Sequence, residues 1–499
     1  MSEARRQVVA VVGGGIAGLA AAWELVNRAE ADRPEVHVLE GAARVGGMMM
    51  ATEFAGRTVD LAADAFLARR PEAVELCEEL GITDQLVPVG ASGASILARG
   101  KLRAMPGGLA LGIPTRWLPL ARSGILSPSE LLRVGTDLFR PHLGTGSAFG
   151  DRSVGAIVGE RLGRPVVERL ADPLIGGIHA GQADELSAAA IFPVLIAASH
   201  QSGSFMRRLG RTQAARAVTP SDASPGGPLF WSLQDATASL VDRLILQLVE
   251  RGVSVRTRAP VEALTRAGHR RAGRWRLRVG GAGDPADTTL DADGVVLALP
   301  AREAAVLLAV HAPTAAGMLS TVESASVATI TLSVRSEAIA APLRGTGFLV
   351  PRTTAIDGRP ALITGCTYLA RKWPHLDRPD DELLRVSVGR FGDDRPAQLG
   401  DEELTASAYG ELAPMLGITG PPRQSLVTRW PSAFPQYQVG HLIRVGTIEK
   451  SVAELPGLAL AGSAFRGVGI PACIGSGRSA ARTVHRTLTS GSGPGQPTG

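Results

Sequence analysis

Five consecutive apolar residues, Val8-Val9-Ala10-Val11-Val12, run into a glycine-rich turn with no polar position to mark a solvent face. A short β-branched run of this kind reads as a strand buried on both sides, as in a parallel sheet. Residues 19–26 continue with helical character, and Val36-His37-Val38-Leu39 is a second strand that ends on an acid, Glu40. The order strand, turn, helix, strand is a βαβ unit. Residues 129–139 and 153–170 read as helices broken by Pro and Gly, and residues 240–250 return to helical periodicity before a strand at 253–256. Residues 261–264 form a hairpin with 275–279, and 293–300 is another buried-type strand. Residues 328–334 alternate as in an antiparallel sheet, which is expected through 300–440. Residues 458–462 regain the parallel-type pattern, ahead of a glycine turn and a last helix.

The parallel-type strands are far apart in the chain, so one domain is assembled from distant pieces. Its expected parts are residues 1–90, 219–300 and 441–489. Residues 91–218 read as a mostly helical insertion and 301–440 as a sheet domain. Residues 201–228 turn from basic to Ser/Pro/Gly-rich and read as a mobile loop, and the tail 490–499 reads as disordered. The fold class is α/β, or α+β over the whole chain, with a Rossmann-like domain, a mixed-sheet domain and a helical insertion.

Composition narrows the function. Charged residues make up 20% of the chain and apolar residues 45%, as in an ordinary globular enzyme. The net charge of +5 suits an anionic small molecule or weak contact with an acidic membrane surface. Nucleic acid is disfavoured, because aromatic residues are only 4% and no basic run interleaves with them. The three cysteines, Cys77, Cys366 and Cys473, are scattered and imply no zinc site and no disulfide framework. No signal peptide and no apolar run of transmembrane length is read, which points to the cytoplasm with at most peripheral membrane contact.

The candidate chemistry lies in the first turn. Gly13 permits the tight turn, Gly15 lets backbone approach a pyrophosphate, and Gly18 lets helix and strand pack closely. Ile16 and Ala17 open the helix, whose N-terminus offers free amides and partial positive charge to phosphates. Glu40 stands where an acid takes the ribose hydroxyls of an adenine dinucleotide. Directly after it, Gly41-Ala42-Ala43-Arg44-Val45-Gly46-Gly47 supplies an arginine and paired glycines; this resembles a second phosphate-contacting loop of flavin-dependent amine oxidases and their relatives, which favours FAD over NAD. Near the C-terminus, Gly462 ends a strand, and Val468-Gly469-Ile470-Pro471 presents another helix N-terminus. Such an end suits the pyrimidine edge of an isoalloxazine.

The chain resembles the oxygen-dependent protoporphyrinogen/coproporphyrinogen oxidase family of haem biosynthesis. The resemblance is carried by the N-terminal glycine run, by Asp64-Ala65-Phe66-Leu67-Ala68-Arg69-Arg70, by the run 172–181 and by Phe465-Arg466-Gly467-Val468-Gly469-Ile470-Pro471. The narrowest motif is Trp430-Pro431-Ser432-Ala433-Phe434-Pro435-Gln436-Tyr437. The resemblance implies an FAD domain, a mixed-sheet substrate domain and a helical domain facing substrate or membrane. It implies a porphyrinogen substrate bearing propionates, which loses six electrons in three turnovers. In each turnover hydride passes to the flavin, and molecular oxygen is reduced to hydrogen peroxide. By resemblance Asp64 lies near the pyrrole N–H groups, Arg69 and Arg70 take propionates, and Val261 completes the cofactor set. No residue is assigned as an acid/base catalyst and no metal is implied, since the cofactor carries the redox work.

Richness in Ala, Gly and Arg, with 60 glycines, suggests a high-GC bacterium and the Gram-positive type that acts on coproporphyrinogen III. Protoporphyrinogen IX is the alternative. A transient contact with a ferrochelatase belongs to the same expectation. Four places depart from the family pattern: Asp60-Leu61-Ala62-Ala63-Asp64 lacks the usual Gly and Pro, Asp235-Ala236-Thr237 replaces a Gly-Gly-Met-like turn, Ala472 replaces an Asp, and Met48 replaces a basic or polar residue. The competing readings are a diverged amine or polyene oxidase and a non-catalytic FAD- or porphyrin-binding protein.

Overall fold

The structure, a computed structural model, describes residues 6–30, 33–139, 150–200, 203–217, 227–266, 275–281 and 288–490. At its centre is an all-parallel sheet in the order Ser254–Arg256, Glu35–Leu39, Val8–Val12, Gly294–Leu297, Leu458–Leu460. Alternate residues of a strand face opposite sides of the sheet. Val9 and Val11 enter a core with helices Ile16–Val26, Pro71–Glu79, Ser239–Glu250 and Ile470–Ser490. Val8, Ala10 and Val12 enter a second core with the antiparallel strands Val261–Arg266, Trp275–Val279 and Thr289–Ala292 and helices Ala301–Leu308, Pro313–Ser320 and His441–Ala453. Both faces are covered, which is why this strand shows no polar alternation.

A second sheet runs Gln424–Pro435, Ser324–Arg335, Asp381–Val388, Ile363–Tyr368, Gly347–Leu349, Ser95–Ala98, Lys101–Ala104. Its pairs are antiparallel except Gly347–Leu349 with Ser95–Ala98. One face packs on helix Asp401–Leu416, and the other receives Leu61, Trp373, Leu383 and Trp430. A third body, mostly helical, is built from Val154–Leu162, Asp172–His179, Pro193–Ser199 and Phe205–Ala217, around Ile157, Leu170, Leu195, Phe205 and Leu209.

Three local expectations change. The segment expected to be a helical insertion begins with Ser95–Ala98 and Lys101–Ala104, which extend the second sheet. The helix expected at 153–170 is divided at Gly163, whose φ is +96°. The loop expected at 201–228 contains helix Phe205–Ala217. Its start is closed from a distance, because the buried Asp137 carboxylate accepts the amides of Phe205 and Met206, each at 3.1 Å. Residues 201–202 and 218–226 of that expected loop and residues 491–499 of the tail lie outside the described residues.

Candidate functional site

The first strand ends at Gly13, whose φ of +105° belongs to glycine and whose Cβ would stand 2.3 Å from the Ala298 carbonyl oxygen. Gly18 packs against the same turn, and a Cβ there would fall 1.9 Å from the Gly13 carbonyl oxygen. Gly15 is different, because nothing lies within 4 Å of the place its Cβ would take. Helix Ile16–Val26 therefore starts beneath open space. Gly15 is its N-cap and no side chain caps it. Ile16 and Ala17 are buried in its first turn. Uncapped amides at a helix start, under a cradle that any side chain would fill, suit an anion such as a pyrophosphate.

Three further segments close on this turn. Glu40 is tied to it directly, its carboxylate accepting the Gly14 amide at 2.7 Å and the Ala42 amide at 2.8 Å. Arg44–Gly47 folds back, so that the Gly46 amide donates to the Gly14 carbonyl at 2.7 Å. A Cβ on Gly47 would lie 3.3 Å from the Gly15 Cα. The Arg44 guanidinium is held by its own loop, donating to the carbonyls of Gly47 at 2.6 Å and Val45 at 3.0 Å. The chain leading to Val261 runs alongside, with the Ala259 amide donating to the Glu40 carbonyl at 2.9 Å.

The C-terminal segment meets the same sheet edge. Gly462, at φ +121°, follows strand Leu458–Leu460, and its amide donates to Ser476 Oγ at 3.1 Å. Helix Ile470–Ser490 crosses the first turn of helix Ile16–Val26 at Gly477, where a Cβ would come within 2.0 Å of the Ala17 carbonyl oxygen. Val468 is half-buried, Gly469 exposed and Ile470 buried at the start of that helix.

What fixes this segment is a pair of rings, Tyr437 and His441. The Tyr437 hydroxyl donates to the Ser463 carbonyl and accepts the Gly467 amide at 2.8 Å. Its ring stacks on His441, centroids 4.0 Å apart and planes at 13°. His441 Nε2 bonds the Phe465 carbonyl at 2.7 Å, while burial holds the imidazole below its ordinary pKa and therefore neutral. The narrow motif and the residues just after it thus clamp three positions between 463 and 467. Trp430 packs in the sheet core near Leu61.

The expected substrate trio separates. Asp64 is buried, and its oxygens accept Lys372 Nζ at 2.8 Å, Arg385 at 2.9 Å and Trp373 Nε1 at 3.0 Å. Burial alone would raise its pKa, but Arg385 and Lys372 outweigh it and hold the carboxyl well below the usual range. Arg69 and Arg70 are exposed ahead of helix Pro71–Glu79. Arg70 pairs with Glu72 at 2.6 Å, and Arg69 has no ion pair among the described residues. Asp64 therefore organises cations inside the protein, away from its two expected companions.

Asp60 explains part of the unusual turn. Its carboxylate accepts the Thr237 amide and hydroxyl, each at 2.8 Å, and the Ala238 amide at 3.2 Å. Burial nevertheless pushes its pKa up to about 6. Between Asp235 and Thr237, Ala236 sits at φ +71°, a conformation that costs a non-glycine residue roughly 1–2 kcal/mol. The Ala63 carbonyl lies 2.7 Å from the same Thr237 hydroxyl and shares its single proton with Asp60. The methyl of Ala472 would lie 2.6 Å from a Cβ on Gly467, so this position is filled by backbone-scale contact rather than by an acid. Met48 and Ala62 pack against the core of the second sheet. Among the described residues no group of three or more His, Cys, Asp or Glu could hold a metal, and no helix is long and apolar enough to cross a membrane.

Comparison with known proteins adds the following. The profile of the flavin containing amine oxidoreductase family matches residues 16–485. Coproporphyrinogen III oxidase of Bacillus subtilis (strain 168) is 32% identical over 96% of this chain and 98% of its own length. Coproporphyrinogen III oxidase of Propionibacterium freudenreichii subsp. freudenreichii is 33% identical over 95% of this chain and 90% of its own length. A crystal structure from Exiguobacterium sp. 255-15, named for protoporphyrinogen oxidase, superimposes with a TM-score of 0.82 at 31% identity, covering 97% of this chain and all of that one.

Proposed function

The chain belongs to the flavin-containing amine oxidoreductase family and, within it, is kin to the coproporphyrinogen III oxidases; from that premise we propose that it is an FAD-dependent coproporphyrinogen III oxidase that uses oxygen and forms coproporphyrin III. The observation that carries the substrate is kinship to enzymes of that name over nearly the whole of both chains. The cofactor rests on the open cradle at Gly15, bounded by Glu40, Arg44, Gly46 and Gly47 and by the helix start at Ile470.

When bound, FAD supplies a hydride acceptor that oxygen restores, with hydrogen peroxide as by-product. The residues of the chain bind and orient. Gly13, Gly15, Ile16, Ala17 and Gly18 present backbone to the pyrophosphate, Glu40 receives ribose hydroxyls, and Arg44, Gly46 and Gly47 add the second phosphate loop. Val261 borders the adenine side. Gly462, Val468, Gly469 and Ile470 face the flavin end, in a conformation set by Tyr437 and His441. Arg69 and Arg70, both exposed, offer charge to propionates, and Asp64 positions Lys372 and Arg385. On this reading residues 1–90, 219–300 and 441–489 are the FAD-binding domain, 301–440 binds substrate, and 91–218, apart from the strands Ser95–Ala98 and Lys101–Ala104 that join the second sheet, faces substrate and membrane. Exposed Trp117, Leu118, Leu132 and Phe139 support a peripheral membrane contact of a cytoplasmic protein, with porphyrin passed on to a ferrochelatase.

Protoporphyrinogen IX is the second reading, favoured by the name of the Exiguobacterium relative. Steady-state assays with each porphyrinogen decide between them. The proposal expects porphyrin fluorescence to rise faster with coproporphyrinogen III, with three hydrogen peroxide per porphyrin. Faster oxidation of protoporphyrinogen IX would replace the substrate, and no oxidation of either would remove the activity.

A further inference from the structure

Two arginines, outside the cofactor cradle, lack the partners that buried guanidinium groups normally have. Arg352 lies three residues beyond strand Gly347–Leu349. Its Nε is buried without a hydrogen-bond partner. Its Nη atoms make only long contacts, 3.4 Å to the Phe391 carbonyl and 3.5 Å to the Gly181 carbonyl. Arg390, two residues past strand Asp381–Val388, has no ion pair among the described residues. Burial, reinforced by the nearby Arg352 charge, lowers its pKa to about 10. Because Arg352 Nη1 reaches the carbonyl of Phe391, the residue after Arg390, the two cations belong to one partly desolvated corner.

The acids around them do not neutralise the pair. Asp393 is taken by Arg395, at 2.8 and 2.7 Å. Asp172 accepts the Ala183 amide at 2.8 Å and reaches Arg352 Nε only at 3.9 Å. Glu185 acts on Arg352 from further away. Yet 29% of the Arg352 side chain is still open, so the corner is accessible from one side.

That side is apolar and close to the cofactor clamp. The end of helix Asp172–His179 leaves Gly177 exposed and Ile178 42% exposed. A Cβ on Gly177 would touch Leu349 at 3.3 Å. The following turn is held by the Phe391 amide, which donates to the Ala180 carbonyl at 2.6 Å, and by Gln436, whose Nε2 donates to the His179 carbonyl at 2.9 Å. Gln436 directly precedes Tyr437, which binds the Gly467 amide. An apolar lip beside two under-paired guanidiniums fits a ligand that is a flat apolar body with pendant carboxylates.

We propose that Arg352 and Arg390 form a carboxylate-binding site that takes a propionate of the porphyrinogen, held with the ring against Ile178 and Leu349. This rests on the porphyrinogen reading above. Two arginines suit a carboxylate because their planar forks donate parallel hydrogen bonds to both oxygens. A bound carboxylate also supplies the buried Arg352 Nε with the acceptor it lacks.

The test uses the flavin-loaded enzyme and its tetracarboxylate product, coproporphyrin III, followed by fluorescence titration, together with steady-state kinetics. Arg352→Gln and Arg390→Gln are each expected to weaken coproporphyrin III binding about tenfold or more, the loss of a charge-assisted contact. KM should rise by a similar factor while kcat changes little and the flavin spectrum is unaltered. Arg352→Lys and Arg390→Lys keep the charge without the fork and should fall between; they also carry the test should a Gln variant lose flavin. Binding and KM within twofold of the unsubstituted enzyme in these variants would overturn the site while leaving the oxidase reading in place. An unsubstituted enzyme that neither binds the porphyrin nor oxidises the porphyrinogen would remove both.

Discussion

Replacing Tyr437 by Phe isolates the clamp on the C-terminal flavin segment. The ring is buried, with 2% exposure, and Phe keeps its stacking on His441. Only the hydroxyl is lost, and with it the donor to the Ser463 carbonyl and the acceptor for the Gly467 amide. A buried polar group left without a partner costs about 1–3 kcal/mol, and two are stranded here. Water relieves part of this where Gly467 is half-exposed. A net loss of about 2 kcal/mol in the ordered form of the segment is therefore expected. If half or more of it falls on the flavin-bound state, FAD affinity drops about 5- to 30-fold. Fluorescence titration of the apoprotein with FAD measures this, and thermal melts of the loaded protein should fall by a few degrees in parallel. An FAD dissociation constant within twofold of the unsubstituted protein, with an unchanged melt, would refute the clamp.

The remaining predictions use the same geometry. Gly15→Ala should leave the apoprotein melt unchanged, since its Cβ meets open space, yet weaken flavin binding at least about tenfold by filling the cradle. Gly18→Ala should lower the melt of the apoprotein itself, since its Cβ would enter the Gly13 carbonyl, so paired melts and titrations separate the two glycines. Asp64→Asn removes the anion between Arg385 and Lys372 and should cost about 3–5 kcal/mol in denaturant unfolding, as for a broken buried pair. The Asp60 carboxyl is raised to about 6 when folded, so the native state holds its proton more tightly than the unfolded chain. Its contribution is present below about pH 4 and is lost as pH rises through 6, on the order of 3 kcal/mol in all. The stability of the unsubstituted protein relative to Asp60→Asn should fall over that window and then level, and a flat difference would count against it.

Legibility in the sequence followed the range of the interactions. The strand Val8–Val12 was readable because burial on two faces writes itself as unbroken apolar sequence. The glycine turn was readable because the positive φ of Gly13 and the contact of Gly18 with the Gly13 carbonyl are local, although Gly13 also has to clear the distant Ala298 carbonyl. Helix Phe205–Ala217 was not, because the carboxylate that closes its start, Asp137, lies 68 residues before Phe205. Composition there is basic and polar, and among its described side chains the apolar ones that enter the core are Phe205, Met206 and Leu209. Asp64 looked available to a substrate because Lys372, its partner, is 308 residues away in the chain. The clamp made by Tyr437 leaves no local trace for the same reason, as the groups it binds lie 26 and 30 residues on. The positive φ of Ala236 is invisible to pattern reading, since alanine carries no signal for the left-handed region.

Oxidation of a porphyrinogen through a flavin held at the Gly15 cradle leaves a spectroscopic trace. Anaerobic mixing of the flavin-loaded protein with coproporphyrinogen III tests it most directly. The account predicts rapid bleaching of the flavin absorbance, return of the colour when oxygen is admitted, and porphyrin fluorescence appearing with it. A flavin that stays oxidised with coproporphyrinogen III and with protoporphyrinogen IX would contradict the account.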